Sequence, residues 1–88
     1  MLINNAQCCI ISAMLKIETP LHRTDLSSHT GLSNNQIFKM TQALTEKGII
    51  QREEKSPKRY MIPPRVKEDI IAYGIYGAYR IIKASTTL

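Results

Sequence analysis

The stretch "GLSNNQIFKMTQALTEKGII", residues 31–50, predicts a central helix together with both of its ends. After the opening glycine, Ser33 is a favourable N-cap, and Gln36 stands at the spacing of a capping box. The Lys-Gly pair near the end of the stretch is typical of a helix C-terminus. We therefore expect a helix over 33–47. Its inward stripe, at helical spacing, is made of Ile37, Met40, Thr41 and Leu44.

The flanking sequence predicts a mainly α domain with one small β-hairpin, and a single domain spanning 1–88. Apolar periodicity and capping residues indicate further helices over about 3–17, 24–30 and 65–84. Two short β-prone runs around a Lys-Ser-Pro-Lys turn indicate a hairpin over about 49–62. The inward residues expected on the first helix are Ala6, Cys9, Ile10, Ala13, Met14 and Ile17.

Composition and charge narrow the classes of partner. The chain has 88 residues, with 43% hydrophobic and 22% charged residues, which is typical of a globular domain. A formal net charge of +5 and a pI near 9.5 favour an anionic partner. Adjacent Cys8 and Cys9 suit neither a disulfide nor a metal site, and we expect reduced, half-buried thiols.

The order helix, helix, turn, helix, hairpin is that of a helix-turn-helix followed by a wing. Residues 24–62 resemble the winged helix-turn-helix DNA-binding domain of bacterial and archaeal transcription regulators, with a MarR-like pattern. The resemblance rests on the Leu32-Ser33 pair, the aliphatic stripe after it, and the "LTEKGII" ending at 44–50. It implies a sequence-specific regulator of transcription that binds double-stranded DNA. The predicted long last helix, 65–84, follows the wing.

The outward side of the third helix is the expected reading surface. Amide side chains can pair with adenine edges, and a lysine can reach guanine or phosphate. Phe38 has two open interpretations, packing in the core and contact with a thymine methyl group. The expected base-contacting residues are Asn34, Asn35, Gln36, Phe38, Lys39 and Gln42.

The hairpin carries four cations around its turn, which favour contact with phosphates or with the adjacent minor groove. The alternative is a solvated turn, which Glu53 and Glu54 favour by lowering the local charge. The expected backbone-contacting residues are Thr24, Ser33, Arg52, Lys55, Lys58 and Arg59.

The last helix is apolar around most of its circumference, which indicates burial on most sides. We expect a homodimer through the first and last helices, and a helix that packs only within its own chain is the alternative. The expected interface residues are Ile70, Tyr73, Gly74, Gly77 and Ile81.

No nucleophile, phosphate-loop or metal-ligand motif is present, so the sequence predicts no enzyme, cofactor, metal site or small-molecule ligand. The longest uncharged apolar run, 70–79, is too short for a bilayer span. We expect a cytoplasmic, nucleoid-associated repressor, or a protein of the host cytoplasm if a mobile element encodes it. Two other functions stay open: a winged-helix protein-interaction module, and a non-specific architectural or replication-associated DNA binder.

Overall fold

The computed structural model describes residues 3–55 and 58–86 of the chain. These residues confirm a mainly helical fold with one two-stranded antiparallel hairpin. The elements in chain order are α1 (Asn5–Lys16), α2 (Arg23–Thr30), α3 (Asn34–Glu46), β1 (Gln51–Arg52), β2 (Tyr60–Met61) and α4 (Pro64–Thr86).

The core lies where α1, α2 and α3 pack against one another. Its centre is aliphatic, and each helix contributes at least one side chain with no exposed surface. Burial of such side chains is the main favourable term in folding, at roughly 1.5–3 kcal/mol each. The fully buried members at this centre are Ile10, Ile11, Leu26, Ile37 and Leu44.

The inward stripe of α1 differs from the predicted one. Cys9 is exposed, whereas Gln7 and Ile11 are buried. Gln7 is buried because its Oε1 accepts a hydrogen bond of 3.1 Å from the backbone N–H of Asn4, while the Asn4 side chain caps the helix in return. Periodicity misplaced the stripe because it treated a hydrogen-bonded glutamine as a surface residue.

Helix α2 begins one residue earlier than predicted, and Thr24 is not its cap. His22 is the N-cap, and its backbone N–H donates to Asp25 Oδ2 at 3.1 Å. Its Nδ1 accepts from the Thr24 N–H at 3.3 Å. Gly31 ends the helix in the left-handed region with φ of 75°, which favours glycine.

The hairpin that follows α3 is shorter than the predicted 49–62. Its register pairs Gln51 with Met61 and Arg52 with Tyr60. Tyr60 also exchanges two backbone hydrogen bonds with Leu21, of 2.8 and 3.0 Å, so the link before α2 makes an isolated antiparallel bridge to β2. This bridge ties the base of the wing to the helical core. The predicted turn of the hairpin includes positions 56–57, which lie outside the described residues.

Helix α4 is interrupted at Gly74, which the sequence did not predict. Gly74 has φ of 81° and ψ of 174°, a conformation that only glycine adopts readily. The bend brings Tyr73 so close to Gly77 that a Cβ at position 77 would lie 2.6 Å from the Tyr73 Cβ. Both glycines are therefore required by the break, and the two halves of α4 take different directions.

The two halves of α4 reach the rest of the domain through a few side chains. Val66 and Ile70 before the break and Ala78 after it are buried in the core. The Tyr76 hydroxyl donates to the Ile3 carbonyl at 2.6 Å. Ile82 packs at the turn after α3, where its Cγ2 would be 3.2 Å from a Cβ at Gly48. The break lets the second half return to the domain.

We expect Gly74→Ala to lower the free energy of unfolding by about 1–3 kcal/mol, because alanine is strained in this conformation. Urea denaturation of the two proteins measures the difference. Ala72→Ser, at an exposed position of the same helix, is the control and is expected to change stability by less than about 0.5 kcal/mol. Unchanged or higher stability of Gly74→Ala would show that an unbroken α4 is the preferred state.

Candidate nucleic-acid interface

Helix α3 has two opposite faces. Ile37, Thr41 and Leu44 are buried, and the Thr41 hydroxyl donates to the Ile37 carbonyl at 2.7 Å, so burial leaves it paired. The face turned to solvent holds amide, hydroxyl, lysine and phenylalanine side chains and no acid before Glu46. Its exposed members are Asn34, Asn35, Gln36, Phe38, Lys39, Gln42 and Thr45.

The N-terminus of α3 is held by the predicted capping box. Ser33 Oγ accepts from the Gln36 N–H at 3.2 Å, and Gln36 Oε1 accepts from the Ser33 N–H at 3.1 Å. This bond commits the carbonyl oxygen of Gln36. A paired contact with adenine requires both the oxygen and the NH₂ group of the amide. Gln36 is therefore a capping residue, and its proposed base contact is reduced to its NH₂ group.

The angle between α2 and α3 is set by two hydroxyls at the turn. Ser27 Oγ donates to the Leu32 carbonyl at 2.7 Å. Thr30 Oγ1 donates to the Leu26 carbonyl at 2.7 Å and accepts from the Leu32 N–H at 3.2 Å. With Gly31 in the left-handed region, these bonds give the turn a single conformation and hold α3 at a fixed orientation on the core.

Phe38 lies outside the core, with 49% of its surface exposed. The guanidinium carbon of Arg23, at the start of α2, lies over its ring at 5.6 Å from the centroid. The helix predicted over 24–30 did not include Arg23, so sequence reasoning missed this contact. No periodic signal could have indicated it, because the two residues are joined by the packing of α2 on α3.

The wing and α3 line an open cleft. Phe38, Gln42 and Glu46 line it from the helix, and Arg52 and Glu54 line it from the hairpin. The two glutamates give the cleft negative charge beside the positive charge of Arg52. Glu46, at the C-terminal end of α3, lines the cleft together with the wing.

The wing cations are exposed and available to an anion. Within residues 3–55 and 58–86, no carboxylate lies within 4.0 Å of any of the four. The ion pair of Lys67 with Glu18, at 3.6 Å, lies away from the wing and joins α4 to the link after α1. The four exposed wing cations are Arg52, Lys55, Lys58 and Arg59.

A family model described as "Sugar-specific transcriptional regulator TrmB" matches residues 8–65, more than half of the chain. The chain belongs to the TrmB family. The match spans α1 to the start of α4 and includes the whole of α3 and the wing. The winged helix-turn-helix resemblance seen in the sequence is thereby confirmed, and the domain is a DNA-binding domain of the kind found in transcription regulators.

Three solved structures share the fold of this TrmB-family chain. The ST1889 protein of the archaeon Sulfolobus tokodaii superposes with a TM-score of 0.70 at 25% identity, covering 94% of this chain and 84% of its own. Transcriptional regulator Tm0710 of Thermotoga maritima gives 0.68 at 20% identity, with 97% and 61% covered. The MarR family transcription regulator SP03579 gives 0.61 at 18%, with 97% and 54% covered. A search of curated proteins found no match.

The proposed interface residues of α4 are only partly exposed in the TrmB-family chain. Ile70 is 6% exposed because it packs into the core of its own chain, which leaves it little surface for a dimer interface. Tyr73 is 67% exposed and Gly74 is exposed, whereas Gly77 and Ile81 are half-buried. Sequence reasoning missed two other exposed apolar residues, Ile71 at 73% and Tyr76 at 48%.

Among residues 3–55 and 58–86, no group of three His, Cys, Asp or Glu side chains is placed to hold a metal ion. None of the described helices is long and apolar enough to cross a bilayer.

Thr24 is exposed, with its hydroxyl 3.1 Å from His22 Nδ1, so this proposed phosphate donor is also part of the α2 cap.

We expect Ser33→Ala to lower the free energy of unfolding by about 0.5–2 kcal/mol, since α3 loses the acceptor for the Gln36 N–H. Thermal or urea denaturation without DNA measures this loss. Ser28→Ala is the matched control, because Ser28 is exposed in α2 and makes no side-chain hydrogen bond within the described residues. Equal effects of the two substitutions would contradict a stabilising cap.

Proposed function

We propose that this domain is a sequence-specific regulator that binds double-stranded DNA as a homodimer and represses transcription. The observation that supports it best is the pairing of two surfaces. The outer face of α3 is free of acid from Ser33 to Thr45, and the wing after it carries four cations without a carboxylate partner in the described chain. Together they offer base-reading groups beside phosphate-binding groups.

In this proposal α3 enters the major groove with its N-terminal half toward the bases. Asn34, Asn35 and Gln42 are exposed amides that can each donate to and accept from an adenine edge. Lys39 can donate to guanine or to a phosphate. Because the buried stripe holds α3 in the core, these side chains approach the groove as one rigid set.

The wing supplies affinity with little sequence preference. Arg52 ends β1 and Arg59 directly precedes β2, while Lys55 and Lys58 lie between the two strands in sequence. Each cation that neutralises a phosphate releases condensed counterions and adds salt dependence. Bridging of β2 to Leu21 holds the wing base against the core, so the cations keep a constant distance from α3.

Dimer formation is proposed through α4, with α1 as the second element of the interface. Three large apolar side chains, Ile71, Tyr73 and Tyr76, lie close in sequence around the break and are between 48% and 73% exposed. Exposed groups of this kind mark interaction sites, and a symmetric pair is the commonest arrangement. A dimer would present two copies of α3 to half-sites spaced about 34–36 Å apart.

A domain that binds a promoter tightly can repress transcription by occupying it, without any further activity. Repression is therefore the simplest function for this domain. Such a regulator works in the cytoplasm, where prokaryotic DNA lies. The family is described as sugar-specific, so sugars are the class of small molecule to test as effectors. The absence of a small-molecule ligand stays a prediction, and titration of sugars into the DNA complex tests it.

We expect Asn35→Ala to relax the sequence preference and to weaken binding to the preferred site by about 1–3 kcal/mol. Lys58→Ala should weaken binding to all duplexes alike and lower the salt slope by about 1. Selection from random duplexes, followed by fluorescence anisotropy on selected and scrambled sites, measures both effects. The different roles follow from one residue meeting base edges and the other meeting phosphate.

Lys16→Ala is the control for loss of charge, because Lys16 is exposed at the end of α1, outside the proposed surface. Uniform loss from both Asn35→Ala and Lys58→Ala would contradict this division of roles. Strong salt dependence without a selectable site would instead identify a non-specific architectural binder. Absence of DNA binding would favour a protein-interaction module, with Phe38 and α4 as its surfaces.

We expect Ile71→Gln to raise the dissociation constant of the dimer, because a polar side chain replaces an apolar one at the proposed interface. Sedimentation equilibrium of the protein without DNA measures the dissociation constant. Ser28→Gln introduces the same residue at an exposed site on α2 and should leave the constant unchanged. A monomeric wild type, or equal constants for both variants, would contradict the proposed interface.

A further inference from the structure

Arg23 is a cation whose side chain contacts an aromatic ring. Its guanidinium carbon lies over Phe38, 5.6 Å from the ring centroid, and its side chain is otherwise exposed. Within residues 3–55 and 58–86, no carboxylate lies within 4.0 Å of it. The acid two residues away, Asp25, instead accepts the backbone N–H of His22 at 3.1 Å. The charge of Arg23 is thus available to an external anion.

Among residues 3–55 and 58–86, no acceptor takes a hydrogen bond from the Arg23 guanidinium, which lies over the ring. An arginine over a ring is attracted through the ring face and carries five N–H donors. These groups can donate in pairs to two oxygens of one phosphate. A lysine keeps the charge but lacks the planar fork, so it cannot replace both functions. The pair therefore holds a phosphate-binding group in a restricted position before any ligand arrives.

The position of Phe38 connects Arg23 to the surface proposed for DNA. Phe38 lies on the outer face of α3, one turn before Gln42 and three residues after Asn35, and it lines the cleft shared with Arg52. Any duplex that contacts this face of α3 comes within reach of the Arg23 side chain. The phosphate-binding surface then extends beyond the wing to the start of α2.

We propose that Arg23 binds a DNA phosphate and that Phe38 is the positioning residue that holds its guanidinium for that contact. This inference rests on the proposed function, because it assigns roles within the same interface. It changes the role expected for Phe38 from reading a base to orienting a cation. It also adds a residue on α2 to the contacts that fix the register of α3 in the groove.

A double-mutant cycle tests the proposal, with Arg23→Ala, Phe38→Leu and the double variant titrated against a labelled mixed-sequence duplex at several salt concentrations. Arg23→Ala should weaken binding and reduce the salt slope by about 0.9, the value for one phosphate contact. Phe38→Leu should weaken binding by about 2–5-fold, the equivalent of an exposed cation–π contact. In the Arg23→Ala background, Phe38→Leu should cause little further loss.

Two further variants separate positioning from a structural role. Arg23→Lys keeps the charge, so it should retain the salt slope while losing the dependence on Phe38. Arg65→Ala removes an exposed arginine from the first turn of another helix, α4, and should leave binding unchanged. Melting temperatures of all variants show whether folding is preserved, which is expected because both Arg23 and Phe38 are at the surface.

The outcomes distinguish this inference from the proposed function. If the wild-type protein binds no duplex at low salt, the proposed function fails and the inference fails with it. If the wild type binds but Arg23→Ala keeps its affinity and salt slope, the inference alone is overturned. If Arg23→Ala weakens binding but the loss from Phe38→Leu is the same in both backgrounds, Phe38 does not position Arg23, and that assignment is overturned.

Discussion

Burial of one stripe of α3 is the constraint on which the rest of the structure depends. Ile37, Thr41 and Leu44 fill the space between α1 and α2 and leave no freedom to rotate the helix about its axis. Rotation would expose aliphatic side chains and bury amides without partners, which costs several kcal/mol per group. The buried stripe therefore determines which side chains face solvent, and the amides and lysine of the opposite face form a surface because of it.

Local interactions at both ends of α3 then fix where the helix begins and how the chain enters and leaves it. The Ser33–Gln36 capping box fixes where α3 begins, and the hydroxyls of Ser27 and Thr30 fix how the chain turns into it. At the other end, Gly48 adopts φ of 79° and leads the chain directly to the wing. Because the wing is also bridged to Leu21, its cations and the outer face of α3 are held by the same core.

The sequence predicted what depends on local and periodic signals, and failed where distant residues meet. The helix order, the capping box of α3, the glycine turns and the wing follow from spacing and from turn chemistry. The burial of Gln7 and the break at Gly74 do not, because each depends on a contact or a backbone angle with no periodic signature. The Arg23–Phe38 pair was missed for the same reason. Periodicity also did not show that Ile70 packs inward and Ile71 faces solvent, because apolar residues cover most of the circumference of α4.

The most direct test of the account is the salt dependence of duplex binding by the unmodified protein. Cations of the wing and of α3 meet phosphates in the proposed complex, so counterions must be released on binding. Fluorescence anisotropy with a mixed-sequence duplex should show binding at low salt. The logarithm of the association constant should fall linearly with the logarithm of salt concentration, with a slope of about −4 for each bound protomer, from four or five phosphate contacts. No binding at low salt, or binding independent of salt, would contradict the account.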